Sequence, residues 1–157
     1  GARGREPRFI RSLIMAPAAL EAHNRRLAEK YARVESEEPR VEEDGVEDAE
    51  VILAAYGSSA RIAKGAVELL RRTGVRVGLF RPVTLWPFPS RALAALARRC
   101  NRFVVVEMSL GQFVEDVQLA VARERALKDV HIELVARPGG SVPTAEEIAD
   151  RVREVLA

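Results

Sequence analysis

The residues of this chain that could do chemistry fall in four short stretches rich in Gly, Ser, Arg or aromatic side chains. Residues 56–61 read YGSSAR. Gly57, Ser58, Ser59 and Arg61 could cradle an anion, because backbone N–H groups at a helix start and the helix dipole favour negative charge. No Lys-Thr or Lys-Ser follows, as a phosphate-binding P-loop requires, and the glycine spacing is not a dinucleotide fingerprint. The simpler reading is a tight strand-to-helix turn with Ser58 or Ser59 capping the helix. Neither serine sits in a GxSxG elbow, and no histidine is a credible base for it. Residues 107–112, EMSLGQ, bring Glu107 and Gln112 close to Glu115 and Asp116. Carboxylates could do acid–base work there, but at a helix start they complement the dipole regardless of catalysis. Residues 137–143, RPGGSVP, hold Arg137, Gly139 and Gly140 without phosphate-loop order and read as a shaped loop.

The fourth stretch, residues 78–89, reads GLFRPVTLWPFP and contains the only Trp of the chain. Proline can neither donate to a strand ladder nor continue a helix, so three prolines here dictate a stiff, non-repetitive loop. Arg81, Thr84, Trp86 and Phe88 are the residues it offers. A stiff apolar loop loses little entropy on docking, and aromatic residues are favoured anchors at interfaces. The expectation is that Trp86 and Phe88, with Arg81 and Gln112, hold the domain against a neighbour. The competing expectation is that Trp86 plugs the domain's own core.

Composition narrows the classes. With 157 residues the chain suits one domain plus an appendage. No apolar run approaches the roughly 20 residues that cross a bilayer, and a cytoplasmic location is the expectation. Cys100 is the single cysteine, which excludes a disulfide framework, a cysteine zinc site or an iron–sulfur cluster supplied by this chain alone. Twenty-five basic residues nearly balance 23 acidic ones, and the arginines are scattered among glutamates without aromatic interleaving, which argues against nucleic-acid binding. His23 and His131 have no second ligand at metal spacing, so no metal site is expected.

The elements that must position these stretches follow from periodicity. Residues 16–34 form a helix with Pro17 in its first turn and a narrow stripe of Leu20, His23/Asn24, Leu27 and Tyr31, the pattern of a connector. The acidic stretch 35–48 contains PRVEED, a short edge strand protected by Pro and charge. The continuous apolar run at 50–56 reads as a strand buried on both faces, 102–107 as another buried strand, and 75–80 and 130–135 as further strands. Helices at 57–74 (Ile62, Val67, Leu69 and Leu70 inward, Gly74 as C-cap), 90–99 (Ser90 as N-cap), 113–123 and from the capping box Thr144–Glu147 alternate with them. The predicted architecture is α/β: three α/β/α layers on a mainly parallel five-stranded sheet, preceded by a connector helix. Ligand and partner contacts in such sheets gather at the carboxyl ends of the strands, where all four stretches meet.

One resemblance adds to this. The run AYGSSARIAKGAVELLRRTGVRVGLFRPVTLWPFPSRAL, followed by FVVVEMSLGQFVEDVQLAV and RPGGSVPTAEEI, resembles the second core domain of the α subunit of 2-oxoacid:ferredoxin oxidoreductases. That domain is itself similar to the C-terminal domain of transketolase. The likeness implies a transketolase C-terminal-like domain over residues 48–157. It implies that residues 1–47, with LEAHNRRLAEKY, are linker and connector helix from a thiamine-binding domain N-terminal to them, and that the chain is a fragment of a longer subunit. The parent complex would oxidise a 2-oxo acid with thiamine diphosphate and Mg2+, pass electrons through iron–sulfur clusters to ferredoxin, and form acyl-coenzyme A. Partners implied are the N-terminal thiamine-binding domain and the β, γ and ferredoxin-like subunits; the thiamine site lies between that domain and the β subunit. This stretch would then bind no cofactor and have no catalytic residue of its own, serving as an interface domain. The details are closer to subunits for branched-chain acids or 2-oxoglutarate than for pyruvate. The alternatives are a stand-alone module binding an anion or coenzyme A at residues 56–61, and a thiamine-dependent carboligase or dehydrogenase, against which the LWPFP and GQFVEDV pairing argues.

Overall fold

The computed structural model describes residues 1–10, 12–123 and 130–157. Val51–Ala55 (β2) is buried at every position, as a run without polar alternation must be. Val77–Pro82 (β3) and Arg102–Glu107 (β4) flank it in parallel, and His131–Ala136 (β5) follows beyond β4. Val41–Asp44 (β1) closes the other side, antiparallel to β3, so the order is β1-β3-β2-β4-β5. The mainly parallel five-stranded sheet is as the sequence predicts. Alternate residues feed two cores. Ile52, Ala54, Phe80, Phe103 and Val105 pack under Ser90–Ala97 (α3) and Gln112–Arg123 (α4). Val51, Leu53, Val77, Leu79 and Val104 pack under Gly57–Arg72 (α2) and Ala145–Leu156 (α5). Each fully buried large apolar side chain contributes about 1.5–3 kcal/mol, so these two layers carry the stability of the unit.

Two details fix the strand connections. Gly78 lies mid-strand in β3, and a Cβ there would meet the Gly45 carbonyl oxygen at 2.7 Å and the Val46 Cα at 2.8 Å. The chain between β1 and β2 crosses directly over it, so only glycine fits. Arg71, near the end of α2, donates to the carbonyls of Val77 (2.8 Å) and Gly45 (2.6 Å) and to Asp48 Oδ1 (2.7 Å). The hydrogen bond and charge of Arg71 hold the Asp48 carboxyl below its ordinary range.

Three helix ends differ from the sequence reading. Ser58 and Ser59 do not cap α2. Tyr56 holds the N-cap position without a side-chain bond, because Gly57 turns the chain at φ +54 and the serines fall inside the first turn. Ser90 likewise is the first residue of α3, with Pro89 at the cap, since the Ser90 N–H already turns back to the Phe88 carbonyl at 2.8 Å. At the far end of α2 the cap is Thr73, and Gly74 follows it at φ +86. The inward face of α2 is mostly small, with Ala60, Ala63 and Ala66 beside Val67 and Leu70, while Ile62 and Leu69 are only half-buried.

The chain divides into Gly1–Glu37 and Glu38–Ala157. The first unit carries the helix Pro17–Glu37 (α1), none of whose residues is buried; Leu20 and Tyr31 are exposed, and Glu21 pairs with Arg25 one turn on at 2.6 Å. Among the described residues no helix is long and apolar enough to cross a membrane.

Candidate functional site

Because β2, β3, β4 and β5 run parallel, their following loops share one end of the sheet. The loop after β3 is built by Thr84. Its hydroxyl donates to the Pro87 carbonyl at 2.8 Å and accepts the Arg40 N–H at 2.9 Å, while the Arg40 carbonyl accepts from Val83 at 2.9 Å. The Trp86–Pro87 peptide is cis. Pro82, Pro87 and Pro89 are buried, and Val83, Leu85 and Trp86 point outward. Trp86 is 58% exposed, so it does not plug the core of this domain. Phe88 turns the other way. Its ring lies 6.4 Å from Phe80 and 6.2 Å from Phe113, inside the layer under α3 and α4. The expected pairing of Trp86 and Phe88 as joint outward anchors is therefore corrected: the proline on either side of Phe88 aims it at the core. Arg81 sits opposite Glu42 in the β1–β3 register and binds it at 2.5 Å, so its charge is met within the sheet.

The loop after β4 is organised by Glu107, which is fully buried. Its carboxylate accepts from Ser109 Oγ at 2.7 Å and from the N–H groups of Gly111 at 2.5 Å and Val114 at 2.9 Å. Burial alone pushes this carboxyl up, but the Ser109 hydroxyl and the backbone donors at Gly111, Val114 and Phe113 more than offset it, and the net direction is down. An ionised, fully bonded carboxylate caps α4 from the strand end; it is not placed to donate a proton. Gln112 Oε1 accepts the Leu110 N–H at 2.9 Å. Asp116 is exposed on α4; partial desolvation and the charges of Glu115 and Glu107 push its carboxyl up.

After β5, Gly139 and Gly140 both take positive φ (+49 and +77). Arg137 binds Glu147 at 2.7 Å, and Glu147 completes the capping box with Thr144. The Thr144 N–H and then Arg137 hold Glu147 below its ordinary range. At the start of α2, Ser59 is buried, whereas Ser58 and Arg61 are exposed. Gly57 and Arg61 border a groove of about 640 Å³ that is also lined by Glu42, Glu43 and Asp44. Lys64 in that groove is paired to Asp44 at 3.3 Å. Three carboxylates and the three basic side chains of Arg61, Lys64 and Arg81 line the groove, so it offers an anion no excess of positive charge. Among the described residues no group of three His, Cys, Asp or Glu side chains could hold a metal ion.

The comparisons with known proteins converge on this architecture. Residues 49–148 match the family model of pyruvate:ferredoxin oxidoreductase core domain II. The chain belongs to this family. This core domain II chain is 44% identical over 147 residues to the ketoisovalerate oxidoreductase subunit VorB of Methanothermobacter thermautotrophicus, a match covering 94% of the chain and 40% of the relative. The chain thus spans about two fifths of the length of that relative. A solved 2-oxoglutarate:ferredoxin oxidoreductase from Magnetococcus marinus, with 2-oxoglutarate, coenzyme A and succinyl-CoA bound, superposes with a TM-score of 0.71 at 26% identity, over 92% of this chain and 24% of that one. A split-gene transketolase, an inactive beta4 tetramer, shares the fold at a TM-score of 0.61 and 17% identity, over 73% of this chain and 41% of that one.

In core domain II several outward residues of the carboxyl end are apolar, beside exposed Ser58, Arg61, Gln112 and Ser141. Besides Val83, Leu85 and Trp86 after β3, the apolar ones include Met108 and Leu110 (73% exposed) after β4 and Val142 after β5. Met108, Leu110 and Val142 are not among the sequence candidates. Their signal was present: apolar residues in turns, where the binary pattern calls for polar ones.

Proposed function

We propose that this chain is core domain II of the α subunit of a cytoplasmic 2-oxoacid:ferredoxin oxidoreductase, where it docks against other domains and does no chemistry itself. The observation that carries the reading is the division of labour at the carboxyl end. Arg81, Glu107, Arg137 and Thr84 are engaged inside the domain, and what is turned outward is a stiff set of apolar residues around Trp86. Contiguous exposed apolar surface marks interaction sites. The surface would receive the thiamine-binding domains of the same and the β subunit, with α1 as the connector to the former. The donor set of this domain does not fit the cofactors of such a complex. Its one cysteine is buried, and its buried carboxylate is spent on α4. In this reading thiamine diphosphate with Mg2+, the iron–sulfur clusters and the contacts to ferredoxin are supplied by the other domains and by the β, γ and ferredoxin-like subunits. The 44% identity to a ketoisovalerate oxidoreductase subunit supports a branched-chain 2-oxo acid as substrate.

The test is to purify the whole subunit carrying this chain with its partner subunits. Ferredoxin reduction that needs both 3-methyl-2-oxobutanoate and coenzyme A is the expected result. A whole complex without that activity on any 2-oxo acid, or an isolated chain that has it, overturns the reading.

A further inference from the structure

We propose that β5 is a self-pairing edge, and that two copies of the chain join β5 to β5 antiparallel about a two-fold axis at Leu134, uniting their five-stranded sheets. This edge is separate from the apolar carboxyl end, and the inference does not rest on the functional reading above.

The ladder sets the register. The His131 N–H bonds the Asn101 carbonyl at 2.7 Å and the Arg137 N–H bonds the Glu107 carbonyl at 3.0 Å. Odd-numbered amides of β5 thus face β4, and the N–H and C=O groups of Ile132, Leu134 and Ala136 face away from it. Among the described residues β5 pairs with β4 alone. The Ala136 carbonyl accepts from Arg137 Nη1 at 3.4 Å, and the other outward groups need partners or water. The opposite edge is defended: β1 follows Pro39 and reads Val-Glu-Glu-Asp. β5 reads His-Ile-Glu-Leu-Val-Ala, six residues with no proline and no lysine. Natural edges that are not meant to pair carry such blocking devices; β5 has a single carboxylate, Glu133, whose charge is met by Arg151 of α5 at 2.5 Å.

What selects a second copy is self-complementarity. A two-fold axis at Leu134 places Leu134 against its own copy and Ile132 against Ala136, apolar on apolar, and sets Glu133 opposite Val135 rather than a second carboxylate. Beside the edge a groove of about 550 Å³ runs between β5 and α5. Its charged residues are paired within the chain, Arg137 to Glu147 at 2.7 Å and Arg151 to Glu154 at 2.7 Å and to Glu133 of β5 at 2.5 Å, so a second copy brought up by the two-fold meets no uncompensated charge there.

The test is sedimentation of this chain from low to high micromolar concentration, with residue-resolved amide exchange by NMR. The expected result is a dimer in which the amides of Ile132, Leu134 and Ala136 exchange at least about tenfold more slowly as concentration rises. Ala136→Pro removes one outward N–H and no bond to β4, so it should give a folded chain whose dimer is at least about tenfold weaker. A monomer at every concentration overturns the proposal. So does a dimer that leaves those three amides unchanged, which means another interface, or amides slow at all concentrations, which means an edge covered within the chain. Should Ala136→Pro fail to fold, the amide readout on the unaltered chain decides alone.

Discussion

Trp86 and Phe88 are two residues apart in one proline-bounded loop and face opposite ways. The Trp86 ring lies mostly in solvent, while Phe88 packs between Phe80 and Phe113. The loop thus carries a foundation and a display residue side by side, and their substitutions should separate cleanly.

Phe88→Ala should cost the domain about 2–4 kcal/mol, because it opens a hole beneath α3 and α4. Trp86→Ala should change stability by no more than about 0.5 kcal/mol, the usual range for a surface position. In the whole complex Trp86→Ala should weaken assembly instead. Thermal melts of the chain and co-purification of the subunits read the two effects; a domain that collapses without Trp86 would sink the docking role.

Gly78→Ala should destabilise by about 1–3 kcal/mol or prevent folding, since the new methyl group would overlap the backbone of Gly45 and Val46. Urea unfolding of the variant checks this. An unchanged midpoint would show that the crossing chain can lift away.

Glu107→Gln should cost about 1–3 kcal/mol at neutral pH, because an amide replaces one accepting oxygen among three bonded donors. The folded carboxyl lies below its ordinary value of about 4.3, so its stabilisation is fully present above that value and is lost as pH falls through the folded one. The gap between the parent chain and the variant should therefore close in acid, below about pH 4. Unfolding free energies measured from pH 3 to 7 test it, with a constant gap as the contrary outcome.

Cys100 is buried, and burial pushes its thiol up. A disulfide reagent at neutral pH should label it slowly in the folded chain and rapidly in urea. Equal rates would mean that the end of α3 opens readily.

Much of the fold was legible because its central strand is a continuous apolar run, strands and helices alternate, and its last helix opens with a capping box. Residues 56–61 misled, since the serines have the right chemistry for a cap but Gly57 turns the chain one position before they can serve. Phe88 and Trp86 could not be told apart by type; only the path of the loop decides which is inside. Arg71 and Glu107 act on groups that are distant along the chain or that belong to the backbone, and side-chain periodicity carries no trace of either. Residues 81–89 nevertheless stand out in the sequence, by three prolines and the lone tryptophan.

Glu107 belongs to β4, yet its oxygens hold Ser109, Gly111 and Val114. One side chain from the floor of the sheet therefore keeps the shape of a loop whose outward side chains, Met108 and Leu110, take no part in those bonds. Lettering and frame are separate here. The outward residues are free to be exchanged for a different partner surface without refolding the turn, so a family can diversify what this end of the sheet recognises while the scaffold beneath stays the same.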